Sequence, residues 1–260
     1  EMLKEASVFD LETQSCENIG TYLIRNLKRS EQIAEHYLKK GLVKQAEKAL
    51  SESLRIAHDI YGYENQHKDV AKIYLKLAHT SLQQKNFLKA KEYLEQTNKM
   101  MSRSNRQNDI VISFHLISSD FLVAQEDYKG ALQCLYELIK IVGNRSDYTL
   151  STFDLGLVYL RFGKCYFVLG NFSVSEDNLL LSKNYFDKAV VQDGEEAQAP
   201  VERHECTFYL AKCCITSSGH VDKALTLLQE TLEGVYNSLN CSFPAPHYLD
   251  DLDSSLINIL

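Results

Sequence analysis

The stretch YLKKGLVKQAEKAL, Tyr37–Leu50, recurs in altered form four more times along the chain. The copies are SLQQKNFLKAKEYL (Ser81–Leu94), LVAQEDYKGALQCL (Leu122–Leu135), YFVLGNFSVSEDNL (Tyr166–Leu179) and, one residue longer, CITSSGHVDKALTLL (Cys214–Leu228). In each copy a helical apolar pattern breaks at a short polar turn and then restarts. In the first, Ile33, Ala34, Tyr37 and Leu38 follow three-four spacing, Lys39-Lys40-Gly41 closes that helix, and Ala46, Leu50 and Leu54 line the next. A glycine after the last periodic residue can take the left-handed conformation that stops a helix. The small residue early in the second helix lets the two axes approach closely. One large side chain in the turn (Val43, Phe87, Tyr128, Phe172 or Val221) then fills the gap between them.

This pattern resembles the tetratricopeptide repeat. That unit carries small or apolar residues at its seventh and eighth positions, an aromatic at the eleventh and glycine near the fifteenth. An aromatic follows at the seventeenth, alanine at the twentieth and an apolar residue at the twenty-fourth. The first copy supplies Ile33, Ala34, Tyr37, Gly41, Val43, Ala46 and Leu50, and the second Leu77, Ala78, Ser81, Phe87, Ala90 and Leu94. The third has Ser118 and Ser119 at the small positions but keeps Tyr128, Ala131 and Leu135. The fourth supplies Phe162, Gly163, Tyr166, Gly170, Phe172, Ser175 and Leu179, and the fifth Leu210, Ala211, Cys214, Gly219, Ala224 and Leu228. The anchors Ala46, Ala90, Ala131, Ser175 and Ala224 are spaced 44, 41, 44 and 49 residues apart, against a usual period of about 34. Each unit is therefore a long one. The stretch Leu54–Ala78, with its Tyr61-Gly62 step, resembles the longer repeats of kinesin light chains.

The resemblance implies an all-α α-solenoid, a right-handed superhelix of antiparallel helix pairs with the first helices lining the concave side. The expected organisation is an N-terminal capping helix over 1–18, five repeats over 19–62, 63–106, 107–147, 148–191 and 200–240, and the start of a further or capping helix over 245–260. The first residue, Glu1, and an ending inside an amphipathic run at Leu260 suggest a piece of a longer chain.

Composition agrees with a helix-rich chain: three Pro, eleven Gly and 45% apolar residues in 260. No apolar run approaches the roughly 18 residues of a membrane span, and no signal-peptide pattern opens the chain, so no membrane association is expected. The seven cysteines are an odd number, and Cys134, Cys165, Cys213 and Cys214 sit within apolar helical faces. That usage fits free core thiols in a reducing compartment, cytoplasm or nucleus. Asn144, Asn171 and Asn240 begin short glycosylation-type triplets, with Asn171 read as part of the repeat turn. Residues 1–106 carry net charge +4 and the remainder −11. Solvated helix faces account for this, and the asymmetry could also orient a partner. No dense basic stripe with interleaved aromatics points to nucleic acid.

A catalytic, cofactor or metal site is not expected. His204, Cys206, Cys213, Cys214 and His220 invite a zinc reading, but their spacing matches no finger or knuckle. Core cysteines with surface histidines are the simpler account. No phosphate-cradling glycine loop is present, and the pairs Asp250-Asp251 and Glu195-Glu196 fall in loop or helix-start contexts.

A binding surface is the remaining candidate. Projecting repeat positions onto the concave side selects Leu75, His79, Leu116, Asp120, Leu160, Lys164, Phe167, Phe208 and Lys212 as candidate partner contacts. Some tetratricopeptide proteins clamp a C-terminal carboxylate with Lys, Asn and Arg, but here Glu31, Glu35, Leu75 and His79 occupy those places, and the run of lining asparagines of kinesin light chains is missing. The expected partner is a protein or peptide segment with hydrophobic anchors and an acidic residue, met by Lys164 and Lys212. The function so read is a non-catalytic protein–protein interaction scaffold or adaptor. The alternative is the regulatory solenoid arm of a larger enzyme of the separase-type protease kind. Self-association through the C-terminal stripe Leu252, Leu256, Ile257 and Leu260 is a further possibility.

Overall fold

The structure is a computed structural model that describes residues 19–63, 67–101, 108–144, 150–193, 199–218 and 220–240. The expected helices over 1–18 and 245–260, and the stripe Leu252–Leu260, lie outside the described residues. The described chain runs α1 (Ile19–Lys39), α2 (Val43–Tyr61), α3 (Lys68–Gln83), α4 (Phe87–Met101), α5 (Asn108–Ala124), α6 (Tyr128–Gly143), α7 (Thr152–Val168), α8 (Phe172–Asp193), α9 (Ala199–Cys213) and α10 (Val221–Asn240). No strand occurs among the described residues.

Four of the turns within pairs are the same device. After α1 the amide of Gly41 donates to the Leu38 carbonyl and that of Leu42 reaches back to Tyr37. The same two bonds recur from Lys85 and Asn86, Glu126 and Asp127, and Gly170 and Asn171, all at 2.8–3.0 Å. They satisfy carbonyls that the helix end would leave without partners. The motif requires positive φ at its second-last residue, and Gly41, Lys85, Glu126 and Gly170 show 69°, 58°, 61° and 78°. The next helix then begins at once, with Val43, Phe87, Tyr128 or Phe172 as its first residue. Asp127 caps the start of α6 by accepting from the Gly130 amide at 2.9 Å. The fifth turn differs: its additional residue is absorbed in a π turn, Cys214–Ser218. There Thr216 and Ser217 hydroxyls donate to the Lys212 and Cys213 carbonyls at 2.9 and 2.7 Å.

The repeat anchors meet where the helices of a pair cross. Ala34, Ala78, Ser119, Gly163 and Ala211 of the first helices are buried, as are Ala46, Ala90, Ala131, Ser175 and Ala224 of the second. Leu50, Leu135, Leu179 and Leu228 lie beneath them without exposure. The approach between α7 and α8 is close. A Cβ on Gly163 would stand 2.5 Å from Leu179 Cγ, and one on Gly156 2.5 Å from Phe186 Cε1. Ser175 and Ser182 donate to the Gly163 and Gly156 carbonyls at 2.7 Å each. Behind them, Cys213 lies 3.3 Å from Ser175 Oγ, and Cys206 donates to Ser182 Oγ at 2.8 Å. The two serine–thiol rungs thus tie α7, α8 and α9 together through an otherwise apolar core, with the buried hydroxyls satisfied.

Pairs stack in chain order. First helices pack on first helices, α3 on α5, α5 on α7 and α7 on α9. No comparable helix-to-helix packing joins the second helices of neighbouring pairs among the described residues. The array therefore curls with its first helices inside, forming an all-α solenoid whose concave wall is built from α1, α3, α5, α7 and α9.

Candidate functional site

The concave wall is organised by ion pairs that cross from one repeat to the next. Lys76 Nζ lies 2.8 Å from Glu35, Lys72 Nζ 2.6 Å from Asp109, and Lys164 Nζ 2.6 Å from Glu205. Arg161 grips both oxygens of Asp120 at 2.8 and 2.7 Å, a bidentate fork. Three of these pairs, Glu35–Lys76, Asp120–Arg161 and Lys164–Glu205, are separated by 41 residues. Projection of single repeats missed Lys76 and Arg161. A search for opposite charges one long repeat apart would have found both.

The nine expected contacts divide accordingly. Leu75, Leu116, Leu160 and Phe208, placed on the groove surface by repeat position, are instead buried, at 3%, 6%, 3% and 0% exposure. The reason is the close packing of first helix on first helix, which turns the fifth position of the second to fifth repeats into core. Asp120 and Lys164 are half-buried and engaged by Arg161 and Glu205. Burial opposes the charge on Lys164, but Glu205, with Tyr209 and Asp120 adding, outweighs it and raises the ammonium pKa. Arg161 follows the same pattern with Asp120. His79 is exposed at the rim of the groove between α1, α3 and α5, where desolvation by the surrounding wall lowers its pKa, with Asp120 opposing and Arg161 adding. Phe167 is half-buried and packs edge-on against Phe172 and Tyr209. Lys212 lies 5.4, 5.2 and 5.5 Å from the ring centroids of Phe167, Phe208 and Tyr209. Lys164, Phe167, Phe208 and Lys212 thus form one cluster across α7 and α9, whereas His79 belongs to a separate site.

That second site is a groove of about 320 Å³ between α1, α3 and α5. Leu38, Leu75, Ile110 and Ile117 give it an apolar floor, and Lys72, Lys76, His79 and Asp109 stand at its polar rim. The size is at the lower end of small-molecule sites, roughly 300 to 1,000 Å³, and also accommodates one or two apolar side chains of a peptide.

Chemistry beyond binding finds no foothold in the thiols. His115 Nδ1 is 3.3 Å from Cys134 Sγ, the geometry of a Cys–His pair. Burial, with Glu137 and Asp120 adding, pushes the Cys134 thiol up to about 12, so it carries no thiolate at neutral pH. Burial likewise raises Cys206 to about 12 and Cys213 to about 11. Cys206, Cys213 and His204 face three different neighbours, the first two thiols bonding to serines, while His204, expected at the surface, is instead buried against Gly234 of α10. No group of His, Cys, Asp and Glu able to hold a metal ion occurs among the described residues. No helix among them is long and apolar enough to cross a membrane.

No protein-family model and no curated protein matches the sequence. Solved structures do match the fold. BtubC (BKLC) from P. vanneervenii superposes with a TM-score of 0.57 at 16% identity, covering 88% of this chain and 93% of its own. The signal transduction ATPase with numerous domains PH0952 from Pyrococcus horikoshii, which has a tetratricopeptide repeat sensor, superposes with a TM-score of 0.56 at 20% identity. There 85% of this chain is covered but only 32% of the Pyrococcus chain, so this sequence spans about a third of that protein. At these identities the likeness concerns architecture, and it agrees with the repeat anchors and turns described above: the chain folds as a helical solenoid of tetratricopeptide type.

Proposed function

We propose that the chain is a non-catalytic protein–protein interaction scaffold that holds a segment of a partner along its concave wall. The observation that carries this reading is the groove between α1, α3 and α5, an apolar floor with a charged rim on the inner side of a repeat array. Such a surface takes an extended or helical segment by its hydrophobic anchors. The segment is read as carrying an acidic residue as well, met by the cations of the α7–α9 wall. Thiols that pack as core groups and bond to serines support work in a reducing compartment, cytoplasm or nucleus.

The test is site-specific photo-crosslinking in cells. A benzophenone side chain at Ser113, in the groove, should yield crosslinked adducts of defined mass, while one at exposed Lys129 on α6 should not. Adducts from Lys129 alone would place the working surface on the convex side and overturn the groove reading. A second reading, that the solenoid is the regulatory arm of a larger enzyme, is favoured by one observation. In the Pyrococcus protein the tetratricopeptide repeats are the sensor of a multidomain ATPase.

A further inference from the structure

Three cations stand on the wall formed by α7 and α9, and they are not equivalent. Arg161 is held by Asp120 and Lys164 by Glu205. Lys212 makes no ion pair among the described residues; its ammonium rests instead above the rings of Phe167, Phe208 and Tyr209. Ring faces attract and position a cation, but a lysine has three N–H donors, and the rings do not use them as a carboxylate would.

A lysine in the last turn of a helix ordinarily serves the carbonyls at that end, and Lys212 is in the last turn of α9. Here that role is taken. Thr216 donates to the Lys212 carbonyl and Ser217 to the Cys213 carbonyl, both from the π turn that follows. The ammonium is therefore left pointing from an aromatic floor, one face of which, Phe208, is fixed by complete burial.

We infer that Lys212 is the position at which the concave wall reads an acidic side chain of the bound segment, flanked in that segment by an apolar residue that packs on Phe167 and Tyr209, the two rings of the floor that are only partly buried. The inference rests on the concave-wall reading proposed above. A side-chain carboxylate is the source favoured over a chain terminus, because a single ammonium offers one point of attachment and no converging donors.

The experiment is selection from a phage-displayed library of random dodecapeptides on the full chain, repeated on Lys212→Glu and Lys164→Gln, with circular dichroism confirming that each variant folds. The wild-type pool is expected to be enriched in Asp or Glu beside an aliphatic or aromatic residue. Lys212→Glu should lose or invert that preference, and Lys164→Gln should keep it. For one selected peptide, Lys212→Met should weaken binding about tenfold. Replacing the peptide's acid by its amide should then cost nothing more. A pool without acid enrichment, or one unchanged on Lys212→Glu, overturns the inference and leaves the scaffold reading standing. No enriched pool, or binding indifferent to Ser113→Arg in the groove and to Lys212→Glu alike, overturns both.

Discussion

The turns within pairs permit a test in which the same physical effect must appear with opposite signs. Gly170 has φ 78° and open space where a Cβ would stand, with nothing within 4 Å. Gly170→Ala therefore adds no clash, only the cost of a left-handed conformation in an L-residue, about 1–2 kcal/mol. Against that stands about 0.4–1 kcal/mol gained because alanine restricts the unfolded chain. The net loss is about 0.5–1 kcal/mol. Lys85 and Glu126 already occupy that conformation, at φ 58° and 61°, and both side chains are exposed without a recorded hydrogen bond or ion pair. Lys85→Gly and Glu126→Gly should each stabilise by the same about 0.5–1 kcal/mol. The turns share no partner, so the double variant should add to about 1–2 kcal/mol and raise Tm by about 2–8 °C. Urea unfolding followed by circular dichroism, with hydrogen exchange at the Asn86 and Asp127 amides, measures this locally as well as globally. Destabilisation by Lys85→Gly, or slower exchange at Asn171 in Gly170→Ala, would refute the reasoning.

Four further outcomes follow from the packing and electrostatics. Gly163→Ala should destabilise by about 1–3 kcal/mol, because its Cβ meets Leu179 Cγ at 2.5 Å between two packed helices; a urea midpoint equal to that of the parent would contradict the crossing described. Burial lowers the pKa of His204 below its ordinary 6.5, and Arg203 and Lys183 act in the same direction while Glu230 opposes. The folded state then binds fewer protons than the unfolded one, so stability is full above about pH 6.5 and declines as pH falls through that value. His79 adds in the same sense, and unfolding curves between pH 7.5 and 5.5 that show rising stability on acidification would exclude both. A double-mutant cycle on Asp120→Asn and Arg161→Met should return a coupling of about 1–2 kcal/mol, above the usual surface pair, since the fork is bidentate and half-buried. Cys134, Cys165, Cys206 and Cys213 should resist a thiol reagent at pH 8 until the chain unfolds; reaction in the native state would mean that the helix carrying the modified thiol, α6, α7 or α9, opens readily.

The architecture was legible because its constraints are local and repeated. Ala46, Ala90, Ala131, Ser175 and Ala224 recur at the one place where two axes must nearly touch, and only small residues fit there. The turns were legible where glycine marks them, at Gly41 and Gly170. Lys85 and Glu126 hide the same geometry, because the flanking helices and two backbone bonds impose the left-handed conformation on residues that do not favour it. The binding wall was less legible. Helical spacing tells which residues share a face, but Leu75, Leu116, Leu160 and Phe208 share theirs with the next repeat's first helix. Whether such a position ends as core or groove depends on the distance between neighbouring first helices, which no single-repeat pattern encodes.

The charges of the wall show the same dependence on neighbours. Read one repeat at a time, Asp120 and Lys164 are an acid and a base facing a partner. Read 41 residues apart, they are halves of joints, Asp120 with Arg161 and Lys164 with Glu205. A half-buried charge already met by its counter-ion has little to give a ligand, since a competing carboxylate would leave Asp120 or Glu205 unpaired at a cost that cancels the new contact. Joints of this kind hold the repeats in register while removing their charges from recognition. On the proposed scaffold reading, recognition would then fall to positions outside the joints, such as the apolar floor around Leu38 and Ile117 and the ring-seated ammonium of Lys212 on α9. A wall built this way should bind by a few separated contacts, so that shortening a bound segment from either end weakens it stepwise rather than uniformly.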